Sequence, residues 1–211
     1  SSLSVQEFID VIHRSELVSK DRLIDALSDC KQEGSLPGEA SVIADFLRQR
    51  GFITPWQQKK LLSGKAKGFF LGDYCLLDHL GTGGMSSVFL AKHRLIQRQV
   101  AVKVIPSAKV DEGSYLWRFE QEARATSRLS HPNVVRVFDI DHHGDTHFMV
   151  MEYVAGRDLK AIVKSQGPLP LDLVAHLIAQ VACGLDHAHR RNLVHRDIKP
   201  DNILWAHGHW K

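Results

Sequence analysis

The chain has 211 residues, of which 44% are hydrophobic, 24% charged and 8% aromatic, and this composition excludes a disordered, collagenous or coiled-coil protein. Lysine and arginine exceed aspartate and glutamate by 27 to 24, and this net charge of +3 is too small and too dispersed to indicate a nucleic-acid partner. The 3 cysteines are too far apart for a disulfide framework. No apolar run is long enough for a secretory leader or a membrane segment within residues 1–211. We therefore predict a cytoplasmic protein.

Residues 1–66 have the composition of a small all-α region. Apolar residues recur at helical spacing in three stretches, which begin near Phe8, Leu23 and Val42. A fourth helix is predicted after Thr54, a capping residue followed by Pro55 at the first helical position. Residues 15–27 resemble residues 50–62, which indicates either a pair of helical hairpins or a chance similarity. The stretch SGKAKG is the predicted linker to a second domain over 72–211.

From Gly72 the pattern changes to short strands that are rich in β-branched and aromatic residues. Five strands are predicted, over 74–80, 87–93, 99–105, 134–140 and 147–153. Helices are predicted over 115–129, 158–165 and 171–189. Because the strands cluster instead of alternating with helices, the fold class is α+β: a lobe with a five-stranded antiparallel sheet and one helix, then the start of a helical lobe.

The turn between the first two predicted strands contains Gly81, Gly83 and Gly84. Glycine lets backbone N–H groups approach a phosphate, although a glycine-rich hairpin is more often only a turn. Ser86 stands where a GxGxxG pattern has its third glycine. Since Val88 continues as a strand, where a dinucleotide-binding fold needs a helix, the sequence excludes the Rossmann interpretation.

Two charged residues stand out on the predicted elements. Lys103 lies between two valines in a strand, where an edge lysine that prevents aggregation is the simpler alternative. Glu122 lies on the helix over 115–129, where a solvated acidic face is the simpler alternative. If both side chains are buried, each needs the charge of the other.

The most specific pattern is HRDIKPDNIL, from His195 to Leu204. Asp197 can accept a proton from a hydroxyl, Lys199 can neutralise a transferring phosphoryl group, and Asn202 offers an oxygen to Mg²⁺. These tasks belong to one reaction, and a solvated loop would rarely match this order by chance. The 13 histidines do not favour a metal site, because no cysteine or carboxylate joins them at a zinc spacing.

Together these motifs resemble the eukaryotic-type (Hanks-type) Ser/Thr protein kinases, and GTGGMSSV with HRDIKPDNIL is most similar to the bacterial members. The resemblance implies phosphorylation of Ser or Thr hydroxyls on protein substrates, with ATP and Mg²⁺ as cofactors. The alternative is a nucleotide-binding pseudokinase or scaffold that docks partners through its helical N-terminal region. A small-molecule phosphotransferase is disfavoured by Lys199 and Pro200 after Asp197.

The resemblance also implies roles for individual residues. Lys103 would hold the α- and β-phosphates of ATP and pair with Glu122. Asp197 would be the catalytic base, with Lys199 as a phosphate ligand and Asn202 as a Mg²⁺ ligand. The other residues implied in nucleotide binding are Leu80, Gly81, Thr82, Gly83, Gly84, Met85 and Ser86 in the glycine-rich turn, Val88 and Ala101 above the adenine, Leu204 below it, Met151 as the gatekeeper, Glu152 and Val154 in the hinge, and Asp158 at the ribose.

The DFG motif of this family, whose aspartate binds the main Mg²⁺, would follow Lys211. We therefore interpret the sequence as a kinase truncated before that motif, because Lys103 and Asp197 are both intact. For the truncated chain we expect little catalysis and marginal solubility, with apolar faces of the helix over 171–189 left uncovered.

Overall fold

The computed structural model describes residues 3–32, 38–83, 86–105, 113–206 and 208–211. They fall into two compact units, Ser1–Gly83 with Ser87–Gln99 and Gly84–Ser86 with Val100–Lys211. The first unit thus joins the N-terminal helices to strands that the sequence assigns to the second domain. The predicted boundaries, 1–66 and 72–211, and the helical-hairpin repeat remain predictions.

Four helices form the N-terminal part of the first unit: α1 (Val5–Ser15), α2 (Lys20–Gln32), α3 (Ala40–Gln49) and α4 (Pro55–Leu62). Ser4 and Thr54 begin α1 and α4 with capping boxes, in which the cap hydroxyl accepts a backbone N–H and the side chain three residues later accepts the cap N–H. The apolar faces of the helices meet in one core that includes Phe8, Ile43 and Leu61. The all-α character expected of this region is therefore present.

The first unit also contains an antiparallel meander of β1 (Phe70–Leu71), β2 (Tyr74–Thr82) and β3 (Ser87–His93). β1 pairs only with the first two residues of β2. The register between β2 and β3 shifts twice, between Leu76 and Asp78 and between His79 and Gly81. Leu77 is consequently the extra residue of a β-bulge, which bends the strand and leaves that residue outside the regular ladder.

In the second unit, β4 (Gln99–Val104), whose first residue is assigned to the first unit, pairs with β6 (Thr146–Glu152) from Val100 onward. β6 in turn pairs with β5 (Val137–His143). Between β4 and β5 the chain forms α5 (Gly113–Thr126). Ile105, Phe119 and Met149 are buried between this helix and the strands. The strand predicted over 134–140 begins later than expected, because the Val134 N–H closes a turn onto the carbonyl of His131 at 3.1 Å.

The helical part of the second unit contains α6 (Leu159–Gln166) and α7 (Leu171–His189), and α7 has the predicted bounds. Three short strands that the sequence did not predict form a small sheet, in the order β7 (Arg157–Asp158), β8 (Leu204–Ala206) and β9 (His209–Trp210). Leu171 and Ile178 of α7 leave 84% and 56% of their surface exposed. The α+β class is confirmed, with β1 and β7–β9 added to the five predicted strands. Within the described ranges, no helix combines the length and apolarity needed to cross a bilayer.

Candidate active site

Lys103 and Glu122 are in contact within the second unit. Lys103 lies on β4 opposite Met149 of β6, and its Nζ is 2.9 Å from Oε1 of Glu122 on α5. The lysine side chain is 25% exposed and the glutamate side chain 56% exposed. The two side chains are therefore paired, while the glutamate keeps the exposure of a solvated helix face. The pair presents one ammonium group whose position is fixed by a carboxylate.

Asp197, Lys199 and Asn202 converge in the segment between α7 and β8. Nζ of Lys199 is 2.9 Å from Oδ2 of Asp197. Nδ2 of Asn202 donates to the backbone carbonyl of Asp197 at 2.8 Å and to its Oδ2 at 3.0 Å. A 3₁₀ turn over Pro200–Asn202 makes this return possible, since it brings the asparagine back towards the aspartate.

These contacts stabilise the ionised form of the Asp197 carboxylate. The hydrogen bond from Lys199, followed by that from Asn202, holds the pKa of Asp197 below its ordinary value. The carboxylate is therefore ionised at neutral pH. It is also 62% exposed, so an incoming hydroxyl can reach it. An ionised, accessible carboxylate can accept a proton from a hydroxyl, and the ammonium group beside it can neutralise the charge of a transferring phosphoryl group.

The backbone around Asp197 is held in an uncommon conformation. Arg196 has φ of +63°, in the left-handed region that non-glycine residues rarely adopt. The Asp197 N–H donates to Nδ1 of His195 at 3.3 Å. Such local strain persists only where the surroundings stabilise it, and it is concentrated at functional sites.

Lys160 is a contact residue of this loop that sequence reasoning missed. It lies on α6, and its Nζ is 2.7 Å from Oδ1 of Asp201, the neighbour of Asn202. The backbone N–H of Leu159 adds a hydrogen bond to the carbonyl of Ile203 at 2.8 Å. The ion pair joins residues 41 positions apart, and no local pattern indicates such a contact.

The residues predicted for the hinge and the ribose have structural partners of their own. Oδ1 of Asp158 accepts the N–H of Ala161 at 2.7 Å, so this aspartate caps α6. Both carboxylate oxygens of Glu152 accept from Nζ of Lys211, at 2.7 and 2.8 Å. Val154 follows β6, and its carbonyl accepts the N–H of Gly156 at 2.9 Å.

The remaining predicted residues are distributed over both units. Met151 lies on β6, Ala101 is buried on β4, and Leu204 pairs with Asp158 across β7 and β8. The first unit contains Leu80, Gly81, Thr82 and Gly83 of the predicted turn, and also Val88. Ser86 belongs to the second unit, whereas Gly84 and Met85 lie outside the described residues.

Asn202 has the chemistry of a magnesium ligand. Both of its contacts with Asp197 use Nδ2, so the amide oxygen Oδ1 remains for a hard cation, and oxygen atoms are the ligands that Mg²⁺ prefers. Among the described side chains, no group of three or more His, Cys, Asp or Glu residues has an arrangement that would hold a metal ion.

Protein kinases have this arrangement: a lysine on a strand pairs with a glutamate on a helix, and an ionised aspartate contacts a lysine and an asparagine. Residues 74–211 match the family described as Protein kinase domain, and the chain belongs to this family.

The relatives specify the group within the family. The chain is 38% identical over 136 residues to the serine/threonine-protein kinase PrkC of Bacillus subtilis, a match that covers 64% of this chain and 21% of PrkC. It is 43% identical over 138 residues to the probable serine/threonine-protein kinase CPE1738 of Clostridium perfringens, covering 65% of this chain and 20% of that protein. The crystal structure of the Mycobacterium tuberculosis PknI kinase domain is similar with a TM-score of 0.60 and 30% identity, over 68% of this chain and 58% of that one.

The resemblance to bacterial Ser/Thr kinases is thereby confirmed. The chain spans about a fifth of the length of these two curated relatives.

Proposed function

We propose that the protein transfers the γ-phosphoryl group of ATP to Ser or Thr hydroxyls of protein substrates. The observation that carries this proposal is the exposed Asp197 carboxylate, to which Lys199 and Asn202 both donate, in a chain of the protein kinase family. The proposed compartment is the cytoplasm, where ATP is available.

Asp197 orients the acceptor hydroxyl and takes up its proton. As the O–H bond breaks, the hydroxyl oxygen forms a bond to the γ-phosphorus, the bond from this phosphorus to the β–γ bridging oxygen breaks, and ADP leaves. Asp197 then releases the proton to water. Its low pKa suits a group that acts chiefly by orienting the hydroxyl, because the proton moves late in a loose transition state.

The two lysines act on the phosphates from different elements. Lys103, fixed by Glu122, binds oxygens of the α- and β-phosphates and so orients the γ-phosphoryl group. Lys199 stabilises the negative charge on the transferring group. The residues proposed to surround the nucleotide are Leu80, Gly81, Thr82, Gly83, Gly84, Met85, Ser86, Val88, Ala101, Met151, Glu152, Val154, Asp158 and Leu204.

Protein kinases use a divalent metal in general, and we propose Mg²⁺ for this one. When bound, Mg²⁺ neutralises phosphate charge. Asn202 would hold it through Oδ1, since Nδ2 is engaged by Asp197. Asn202 would thereby contact the Asp197 carboxylate through Nδ2 and the metal ion through Oδ1.

The test is Asp197→Asn in the full-length protein, with phosphoamino-acid analysis of the product. We expect phosphorylation of serine or threonine to fall by about 10²- to 10⁴-fold while ATP binding persists. Asp186→Asn is the control, because Asp186 is an exposed α7 residue paired with Arg190. Unchanged phosphorylation by the Asp197 variant would reject the assignment. An unsubstituted protein that binds ATP without transferring phosphate would be the pseudokinase or scaffold.

A further inference from the structure

Helix α4 supplies hydrogen-bond donors to the strand that leads into the glycine-rich turn. β1 pairs only with Tyr74 and Cys75, so the carbonyls of Leu76 and Leu77 lie beyond the end of that ladder. Nε2 of Gln57 donates to the carbonyl of Leu76 at 2.7 Å, and Oγ1 of Thr54 donates to that of Leu77 at 2.5 Å. The N-terminus of α4 thus continues the edge of the sheet where β1 stops, at the bulge in β2.

Gln57 connects the cap of α4 with β2. Its side chain is buried, with 2% of its surface exposed. Oε1 accepts the N–H of Thr54 at 2.8 Å, which closes the capping box, while Nε2 makes the bond to Leu76. The Thr54 hydroxyl has a similar double role, because it accepts the N–H of Gln57 at 3.2 Å and donates to Leu77. Removing either side chain would therefore leave a strand carbonyl without its donor, and for the buried Gln57 bond this carries the free-energy cost of an unsatisfied buried group.

Trp56, between these two residues, makes the aromatic contact with the meander. Its ring packs edge-on against Phe69 at a centroid distance of 6.0 Å and against Phe89 of β3 at 5.8 Å. Phe89 lies 5.1 Å from the ring of His79 on β2, and Nε2 of His79 is 3.0 Å from Oγ1 of Thr82. Side-chain contacts therefore run without a break from α4 to the base of the glycine-rich turn.

We propose that Thr54, Trp56 and Gln57 are positioning residues for the glycine-rich turn, so that the N-terminal helices set the affinity for ATP. This inference rests on the proposed function, in which the turn covers the ATP phosphates. The helices and the β2–β3 hairpin belong to one compact unit, and of their shared hydrogen bonds the one from Gln57 is buried and the one from Thr54 is partly buried. A displacement of α4 would consequently leave the carbonyls of Leu76 and Leu77 without their hydrogen-bond donors and would remove the Trp56 ring from Phe89. The glycine-rich turn would then lose the contacts that hold its two strands in place.

The experiment compares two adjacent glutamines of α4. Gln57→Ala removes the bond to β2, whereas Gln58→Ala removes a bond to Asp45 of α3 at 2.9 Å, which lies within the helical part. Gln57→Glu is a second variant that keeps an oxygen for the Thr54 N–H and lacks the donor to Leu76. Hydrogen exchange is followed over 74–82 and 87–93, with 99–104 and 146–152 as reference peptides. The dissociation constant for ATP, its KM and kcat are measured on the full-length protein.

We expect both Gln57 variants to accelerate exchange over 74–82 and 87–93 but not in the reference peptides. The dissociation constant and KM for ATP should rise about 3- to 10-fold, with kcat changed by less than about 2-fold. Gln58→Ala should alter none of these quantities. If Gln57→Ala does not fold, Trp56→Leu replaces it, with the same expected results.

Two results would overturn the proposal: unchanged exchange over 74–82 and 87–93, or faster exchange with unchanged affinity for ATP. An unsubstituted protein that binds ATP but transfers no phosphate would contradict the proposed function alone. In that case the dissociation constants still decide whether α4 positions the turn.

Discussion

Asn202 donates one side-chain amide group to both the backbone carbonyl and the carboxylate of Asp197. The carboxylate is therefore held in one orientation relative to its own main chain, and the ammonium group of Lys199 approaches the same Oδ2. The orientation of the proposed base and its lowered pKa thus depend on two residues within five positions of it.

Lys199→Met should raise the pKa of Asp197, since the bond from Lys199 is the main cause of its low value. The pKa of Asp197 is lower in the folded state than in the unfolded state. The bond therefore stabilises the folded protein at pH values above the unfolded-state pKa, and this stabilisation is lost as the pH falls through the folded-state pKa. A ¹³C NMR titration of the aspartate carboxyls measures the shift. Lys160→Met is the matched control: it should raise the pKa of Asp201 and leave that of Asp197 unchanged. An unshifted Asp197 in the Lys199 variant would contradict the electrostatic account.

Glu122→Gln should weaken ATP use much more than folding. The glutamate is 56% exposed, and an exposed ion pair contributes at most about 1 kcal/mol to the free energy of unfolding. We expect the KM for ATP to rise by about 10-fold or more, because Lys103 loses the carboxylate that orients it. Kinetics and a thermal melt measure the two effects. Glu120→Gln on the same helix, where Glu120 lies 3.7 Å from Arg124, should change neither. An equal effect of both variants would show that the Lys103 contact has no special role.

Gly156→Ala should destabilise the segment between β6 and β7. A Cβ atom at this position would lie 1.8 Å from the backbone oxygen of Trp205 on β8, so the two segments must separate. We expect a loss of about 1–3 kcal/mol or more in the free energy of unfolding, measured by urea denaturation. Gly38→Ala is the control, since a Cβ there would meet nothing within 4 Å. Equal stability of the two variants would be incompatible with the close approach at Gly156.

Asn133→Ala should loosen β9 from α7. Nδ2 of Asn133 donates to Oε1 of Gln180 at 2.9 Å and to the carbonyl of Trp210 at 2.7 Å. These partners are partly buried, and we expect a loss of about 1–3 kcal/mol in the free energy of unfolding. Urea denaturation measures it, with Gln166→Ala at the exposed end of α6 as a surface control. A loss no larger than that of the control would refute the stabilising role of this network.

The sequence predicted the parts of the fold that have a strong local pattern. The helix over 171–189 has the expected bounds, because its apolar residues recur regularly and no proline interrupts it. Asp197, Lys199 and Asn202 were predicted together because they lie within one short motif. The contact between Lys103 and Glu122 was anticipated from the need of a partly buried charge for a partner.

Contacts between distant residues were not predicted. Lys160 and Asp201 lie in different segments, and each has the appearance of an ordinary surface charge. Thr54 was identified as a helix cap, but its bond to Leu77 depends on a β-bulge 23 residues later. The strand β9 was missed because it has only two residues, which is too short for an alternating pattern.

Gln57 also provides a criterion for searching other chains. A capping box accepts either glutamate or glutamine at its third helical position, as α1 and α4 of this chain show. Only glutamine carries a second group that can donate to a neighbouring strand. Where such a helix precedes a kinase domain at the same distance, glutamine at this position indicates a helix that can hydrogen-bond to the first strands of the domain. Glutamate indicates a helix without this bond.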